Sequence, residues 1–505
     1  MKIFLISIVV MIGGYCNILS AQNITYSQAE RADSRNLNFE ILGKFEGDFL
    51  IYKNINRGHK ITIYNNDMVL KESIKLDFVS DRTYNIDFIK YADCFLIIWQ
   101  FEKGNITYCK AAKMNTAGKI VGDVKELDTT KTGFFGTKTY YGFTYSEDKK
   151  KLLVYKTQSK NEVYLVCTKI YNEELLLQDS SRQAIPYDNR ESFDDMQIDN
   201  DGNVLFTKLK ENARQEYINT LELIVKKVKV DKLITINIAL DKILIQPPVV
   251  KIDNINAHYI INSFSYKKNG GYIDGLFSAI ISKDSFALLQ KAINIFDDSL
   301  LTKLSGKPDW RSAFDNYFLK NIILKKDGGF IVITEDYYKQ RRFGGAGFDD
   351  RLGNNNVFGS VSDYYLYNRG YSGFYRPYGD NNNARDVVYN YGDILNFSIS
   401  NNLKLQWNNV INKTTNDVET DNFLSFVNMN AGGEIHFLFL QKDNNRQILS
   451  DHAVQTDGRI IRYATLKSRE AGYEFMAKLG RQTGVKQMII PCIVRNNIAF
   501  AKIDF

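Results

Sequence analysis

Short apolar runs broken by polar or glycine tips recur along the whole chain, and that rhythm excludes most folds. An apolar run, a tip of two to four residues and a second apolar run appear at Phe45-Glu46-Gly47-Asp48-Phe49, at Tyr91-Ala92-Asp93-Cys94-Phe95 and at Tyr145-Ser146-Glu147-Asp148. The pattern returns at Asp199-Asn200-Asp201-Gly202-Asn203, Lys268-Asn269-Gly270-Gly271, Lys326-Asp327-Gly328-Gly329 and Asn430-Ala431-Gly432-Gly433. Tips at 47, 93, 148, 202, 270, 328 and 432 are 46, 55, 54, 68, 58 and 104 residues apart. Such punctuation of β-branched and aromatic runs marks strands and tight turns, and no stretch sustains a helical period.

A second hairpin follows each first one, at Tyr64-Asn65-Asn66-Asp67, Asn115-Thr116-Ala117-Gly118, Tyr171-Asn172-Glu173, Val230-Asp231-Lys232, Ser282-Lys283-Asp284, Ser400-Asn401-Asn402 and Thr456-Asp457-Gly458. Two hairpins per unit give four antiparallel strands. Four-stranded units at this period bury both faces only by stacking around an axis, so the expected fold is an all-β propeller. Seven blades is the expected number, with eight as the alternative. A last hairpin, Met488–Val494 and Ile498–Ile503, is expected to close the ring against Leu37–Leu42. An outer-membrane β-barrel is the competing architecture, prompted by the terminal alternation Ala499, Ala501, Ile503, Phe505 and 31 tyrosines. Runs apolar on both faces, such as Phe95–Trp99, fit stacked blades better than a lipid-facing wall.

The stretch Asp327-Gly328-Gly329-Phe330-Ile331-Val332, followed by Asp393-Ile394-Leu395 and by Leu403-Lys404-Leu405-Gln406-Trp407, resembles exported bacterial β-propeller repeat proteins. In those repeats an Asp-Gly-Gly-aromatic strand precedes an Asp-Ile-Leu hairpin ending in Trp. The resemblance is clearest in this one unit. It implies the fold and an envelope or scaffold setting, including a secretion apparatus as partner, and assigns no residue a role.

The N-terminus reads Met1-Lys2, an apolar run Ile3–Ile12, then Gly13-Gly14 and Ser20-Ala21-Gln22. The ten residues of this run, nine of them apolar, span about 15 Å as a helix, half a hydrocarbon core, so residues 1–21 are expected to be a signal peptide rather than a transmembrane anchor. The expected location is therefore the periplasm or cell surface of a bacterium, with peripheral membrane association compatible. Residues 22–505 would then form a single propeller domain. Cys94, Cys109 and Cys167 lie in or beside strand-like runs, and with Cys492 they are expected to be free buried thiols.

Charge and motifs narrow the function. Lys and Arg number 65 against 58 acidic residues, and the one dense basic run, Lys149-Lys150-Lys151, follows Glu147-Asp148 at a hairpin tip. That is a solvated turn, and no nucleic-acid partner is expected. Asp199-Asn200-Asp201-Gly202 has Lys208 where a helix-loop-helix calcium loop needs Glu, so it reads as a turn. The four histidines are scattered; only His436 and His452 fall in one unit, where they could meet across strands. No nucleophile elbow, phosphate loop or dinucleotide fingerprint occurs, so no catalytic residue, metal or cofactor is assigned.

The segment 337–392 is the anomaly. Its 56 residues hold ten Tyr, four Phe, nine Gly, eight Asn and six Arg against one Lys, an aromatic share of 25% where the chain has 13%. Tyr and Arg among Gly and Asn make a binding-surface composition. The candidate contacts are Arg341, Arg342, Phe343, Tyr364, Tyr365, Tyr367, Tyr371, Phe374, Tyr375 and Arg376. The expected role is a non-enzymatic interaction or scaffold module whose insertion meets an envelope protein or a glycan. The alternative is a carbohydrate-binding or carbohydrate-active propeller, which would gather two or three acidic side chains at the axial mouth.

Overall fold

A computed structural model describes residues 23–31, 37–55, 57–131, 141–194, 196–212, 215–266, 273–304, 316–341, 387–418, 420–443, 446–464, 466 and 472–505. Among these, antiparallel strands form eight successive four-stranded units. Blade 1 comprises strands a to d at Leu37–Phe45, Asp48–Ile55, Gly58–Tyr64 and Leu70–Lys75, and blade 2 follows at Thr83–Lys90, Cys94–Lys103, Ile106–Asn115 and Ile120–Lys131. Blade 3 is Gly142–Tyr145, Leu152–Lys160, Val163–Tyr171 and Leu177–Pro186. Blade 4 spans Glu191–Phe193 to Leu233–Ile238 and blade 5 Val249–Asp253 to Leu288–Ile295, joined into one sheet by the short strand Leu244–Ile245.

Blade 6 has Tyr317–Leu324, Phe330–Arg341, Val387–Ile399 and Leu405–Ile411; blade 7 has Phe426–Asn430, Glu434–Asp443, Arg446–Gln455 and Ile460–Arg462. In blade 8, Glu474–Phe475 and Arg481–Gly484 share the inner position, followed by Gln487–Val494 and Asn497–Asp504. Its outer strand comes from the other end of the chain, where Asn23↔Asp504 and Glu30↔Ile498 are in register.

The ring closes through its cores. Each of eight buried apolar clusters is shared by two successive blades, and the cluster of Phe39, Ile41, Phe49 and Ile51 with Ile489, Ile498 and Phe500 joins blade 8 to blade 1. Strand b of blade 2 shows why. Side chains alternate across a strand, so Phe95, Ile97 and Trp99 enter the core shared with blade 1 while Leu96 and Ile98 enter the core shared with blade 3. Burying each of these large apolar side chains contributes about 1.5–3 kcal/mol, and neither face could be left wet. The same two-sided burial between separate open sheets removes the outer-membrane barrel reading. No helix among the described residues is long and apolar enough to cross a membrane.

Three expectations need correction. Among the described residues the blades number eight, because the terminal hairpin builds its own blade. That hairpin pairs with Asn23–Tyr26 and Glu30–Arg31, whereas Leu37–Phe45 is the inner strand of blade 1. Tyr26 stacks on Tyr473 at 4.3 Å between ring centroids, which anchors the N-terminal strand. The tip at 270 falls between strands b and c of blade 5, in 267–272, outside the described residues; the inner turn of that blade is Asn254–Ala257. It has no glycine, and Ala257 itself takes φ +54°. The other six inner tips lie where the repeat places them, with Gly202 at φ +90° and Gly328 at φ +81°, and all seven outer tips join strands c and d.

The Asp199–Asn203 segment is a turn. Asp199 accepts hydrogen bonds from the amides of Asp201 and Asn203, from Asn203 Nδ2 and from Tyr259 OH. Cys94, Cys109, Cys167 and Cys492 are free; Cys109 and Cys492 are buried, and the other two are half-buried.

Candidate functional site

Strands b and c of blade 6 pair from Phe330↔Ile399 to Glu335↔Ile394, pass a bulge, and continue as Tyr337↔Tyr391, Tyr338↔Asn390 and Lys339↔Tyr389 to Arg341↔Val387. The ends of the aromatic segment are therefore a strand stem, and residues 342–386 are what it carries. Arg341 sits at the last register position of strand b. Arg342, Phe343, Tyr364, Tyr365, Tyr367, Tyr371, Phe374, Tyr375 and Arg376 lie outside the described residues.

Aromatic contacts and cations rigidify the stem. Tyr337 meets Tyr391 at 4.7 Å and Phe318 edge-on at 6.2 Å between ring centroids. Lys339 Nζ lies 5.7 Å from the Tyr337 ring and 5.3 Å from that of Tyr389, within cation–π range.

Below the stem is a buried charge network that spacing along the chain does not reveal. Glu335 and Lys413 are both fully buried, with Lys413 Nζ 2.8 Å from Glu335 Oε1. Ser425 Oγ donates to Glu335 Oε2 at 2.6 Å, and Lys320 Nζ stands 3.5 Å from that oxygen. Tyr391 OH donates to Asp421 Oδ2 at 2.8 Å, and Lys478 Nζ lies 2.7 Å from Asp421 Oδ1. Burial would raise the Asp421 pKa, but Lys478 and the Tyr391 hydrogen bond take it below the ordinary carboxylate range. Lys320, Glu335, Tyr391 and Lys413 belong to blade 6, Asp421 and Ser425 lead into blade 7, and Lys478 belongs to blade 8. The network ties the stem, in blade 6, to blades 7 and 8. Each carboxylate in it already has a cationic partner, so its chemistry is to position and hold.

The axis offers a second cluster. Inner strands of neighbouring blades touch there, that of blade 1 against those of blades 2 and 8. Glu40 comes from blade 1, Asp87 from blade 2 and Tyr145 from blade 3; Arg481 of blade 8 donates to Glu40 Oε1 at 2.9 Å and to the Ile41 carbonyl at 3.1 Å. Burial and the charge of Asp87 push the Glu40 pKa up to about 8, against the opposing pull of Arg481. Lys149 Nζ donates to the Lys90 carbonyl and Lys90 Nζ to the Lys44 carbonyl, each at 2.7 Å. Lys149 thus stitches blade 3 to blade 2, so the run at 149–151 is a turn as expected but not a purely solvated one. The carbohydrate-active reading asks for substrate-facing acids at this mouth. Of the pair brought together here, Glu40 is 2% exposed and closed off by Arg481, so it meets no substrate in this geometry.

His436 and His452 do not meet. Their register, His436↔Ala453 and Phe437↔His452, puts them one residue out of step and hence on opposite faces of blade 7. His436 Nδ1 lies 3.0 Å from both Asp451 oxygens, and His452 stacks on Phe439.

No family model matches the chain, and no curated protein matches it. Among solved structures it is similar to prolyl oligopeptidase B from Galerina marginata, at 8% identity and TM-score 0.41 over 92% of this chain and 56% of that one. It is similar to a prolyl endopeptidase at 8% and 0.34, over 84% of this chain and 55% of that one. A third likeness is to the Synechocystis apocarotenoid oxygenase, at 7% and 0.32 over 95% and 93% of the two chains. The chain spans a little over half the length of the two prolyl peptidases. At these TM-scores the likenesses carry no argument, and the architecture rests on strand register and the shared cores.

Proposed function

We propose that the chain is an exported, non-enzymatic interaction module of a bacterial envelope, and that the insertion 337–392, whose two ends are the paired strands of the blade 6 stem, is its main contact. The observation that carries this reading is the stem: strands of 12 and 13 residues, joined by buried hydrogen bonds from Tyr391 to Asp421 and from Ser425 to Glu335 to the residues that lead into blade 7. A segment presented from an ordered base loses less conformational freedom on binding than one on a slack loop. Its Tyr, Arg, Gly and Asn content suits a protein surface or stacking on sugar rings, so the partner is an envelope protein, a secretion apparatus being one such setting, or a glycan. Export rests on the apolar run Ile3–Ile12 and the small residues before Gln22.

The test removes the segment and keeps the stem. A variant joining Arg341 to Val387 through Asn-Gly, a turn that suits a two-residue hairpin, is compared with the full chain in affinity capture from envelope fractions. Loss of one or more partners from the variant supports the reading; identical partner sets refute it.

A further inference from the structure

A cavity of about 290 Å³ opens between blades 2 and 3, lined across blade 3 from Tyr141, beside its inner strand, to Arg182 on its outer strand, and sharing no residue with the stem. Blade 3 supplies one wall. In its register Lys156, Cys167 and Arg182 stand opposite one another on successive strands, and Val154, Lys169 and Ser180 form the adjacent row. Val154 belongs to the core shared with blade 2, so the side chains in phase with it face the same way. Toward the periphery this face turns from apolar to cationic. Blade 2 answers with one acid: Asp128 lies 2.7 Å from Lys156 Nζ and 2.8 Å from Lys169 Nζ. Burial would raise the Asp128 pKa, but its hydrogen bonds to the two lysines and their charges hold it below the ordinary range. The carboxylate is therefore ionised and cancels one of three positive charges.

Arg182 is the surplus that matters. It is exposed on the outer strand, where its backbone pairs with Cys167 while its guanidinium makes no hydrogen bond or ion pair among the described residues. Lys156 and Lys169 keep only 23% and 34% of their side-chain surface, so their field in the cavity is less screened than that of fully exposed lysines. A planar guanidinium fork beside a serine hydroxyl and an ammonium is a donor set for tetrahedral oxyanions. The space far exceeds the ~10–15 Å³ that admits one water, and is more than one such anion fills.

We propose that this cavity binds an oxyanion, phosphate or sulfate, carried as an ester on a small polar molecule such as a monosaccharide. Arg182 and Lys169 grip the anion, Ser180 adds a hydroxyl, and the lysine pair held by Asp128 supplies the field.

Cys167, half-buried in the same wall between Lys156 and Arg182, is a built-in reporter. Its alkylation by neutral iodoacetamide, read peptide by peptide by mass spectrometry, is followed on the full chain with inorganic phosphate, inorganic sulfate, glucose 6-phosphate and glucosamine 6-sulfate, against chloride at matched ionic strength. The oxyanions slow Cys167 saturably and leave Cys94 unchanged. Arg182→Gln, a surface change checked by circular dichroism, weakens the protecting concentration about tenfold, the worth of one charge-assisted hydrogen bond. Esters that protect at lower concentration than the free anions identify the ester as the ligand; equal protection identifies the free anion and corrects that part of the proposal. Equal rates in chloride and every oxyanion, or undiminished protection in Arg182→Gln, overturn the site.

Discussion

Replacing Lys413 with methionine tests whether the buried charges under the stem compensate one another. The change leaves Glu335 fully buried with the Ser425 hydroxyl at 2.6 Å and the Lys320 ammonium at 3.5 Å. Removing one partner of a buried ion pair destabilises by about 3–5 kcal/mol, because a buried charge is left uncompensated. Lys320 stands close enough to recover part of that, which places the expected loss near the lower end, about 3 kcal/mol. A chain this large exposes much surface on unfolding, so with a urea m-value of about 3 kcal/mol/M the midpoint falls by about 1 M. Removing both charges gives the opposite expectation: replacing a buried pair with apolar residues is near neutral or stabilising, so Glu335→Leu with Lys413→Met unfolds close to the parent midpoint. Urea unfolding followed by circular dichroism and tryptophan fluorescence measures all three proteins. A loss under ~1 kcal/mol in the single variant, the median worth of a surface pair, or a double variant as unstable as the single one, would refute the argument that the buried charges are mutually compensating.

Three further outcomes follow from local geometry. Because the folded chain holds the Glu40 pKa up at about 8, its contribution is fully present below the ordinary carboxylate range and is lost as pH rises toward 8. Stability should therefore decline by at most about 1.4 kcal/mol per pH unit across that window, and Glu40→Gln, which keeps an oxygen facing Arg481, should flatten the decline in pH-resolved denaturation. Gly458 sits at φ +85° with its missing Cβ 2.6 Å from Trp407 Cδ2, so Gly458→Ala should cost about 1–3 kcal/mol and shift tryptophan emission as Trp407 loses its 3.0 Å bond to the Thr456 carbonyl; unchanged emission and melting temperature would contradict this. Without added oxyanion, Cys167 should alkylate before Cys94, whose thiol burial and Asp93 push up to about 11, with Cys109 and Cys492 protected until unfolding. Time-resolved mass spectrometry measures the order, and early labelling of Cys109 would count against the packing between blades 2 and 3.

The local alphabet of this protein was legible in its sequence. Apolar runs such as Phe95–Trp99 must bury two faces, Asp-Gly tips such as 201–202 must turn, and paired hairpins must make four-stranded units, because strand alternation and positive-φ turns are properties of a few adjacent residues. Position 254–257 escaped because Ala257 does the work of a turn glycine, and the aromatic composition of 337–392 concealed that its two ends are strands. Long-range chemistry needed the fold. The eighth blade exists because Asn23–Tyr26 finds Asn497–Asp504 across the full length of the chain. Glu335, Lys413, Asp421 and Lys478 become one network, Glu40 meets Arg481, and Asp128 of blade 2 reaches Lys156 and Lys169 of blade 3 only when stacked blades bring distant strands together. Turns are decided by neighbours in sequence, whereas charges act through space, and only the closed ring determines which ones meet.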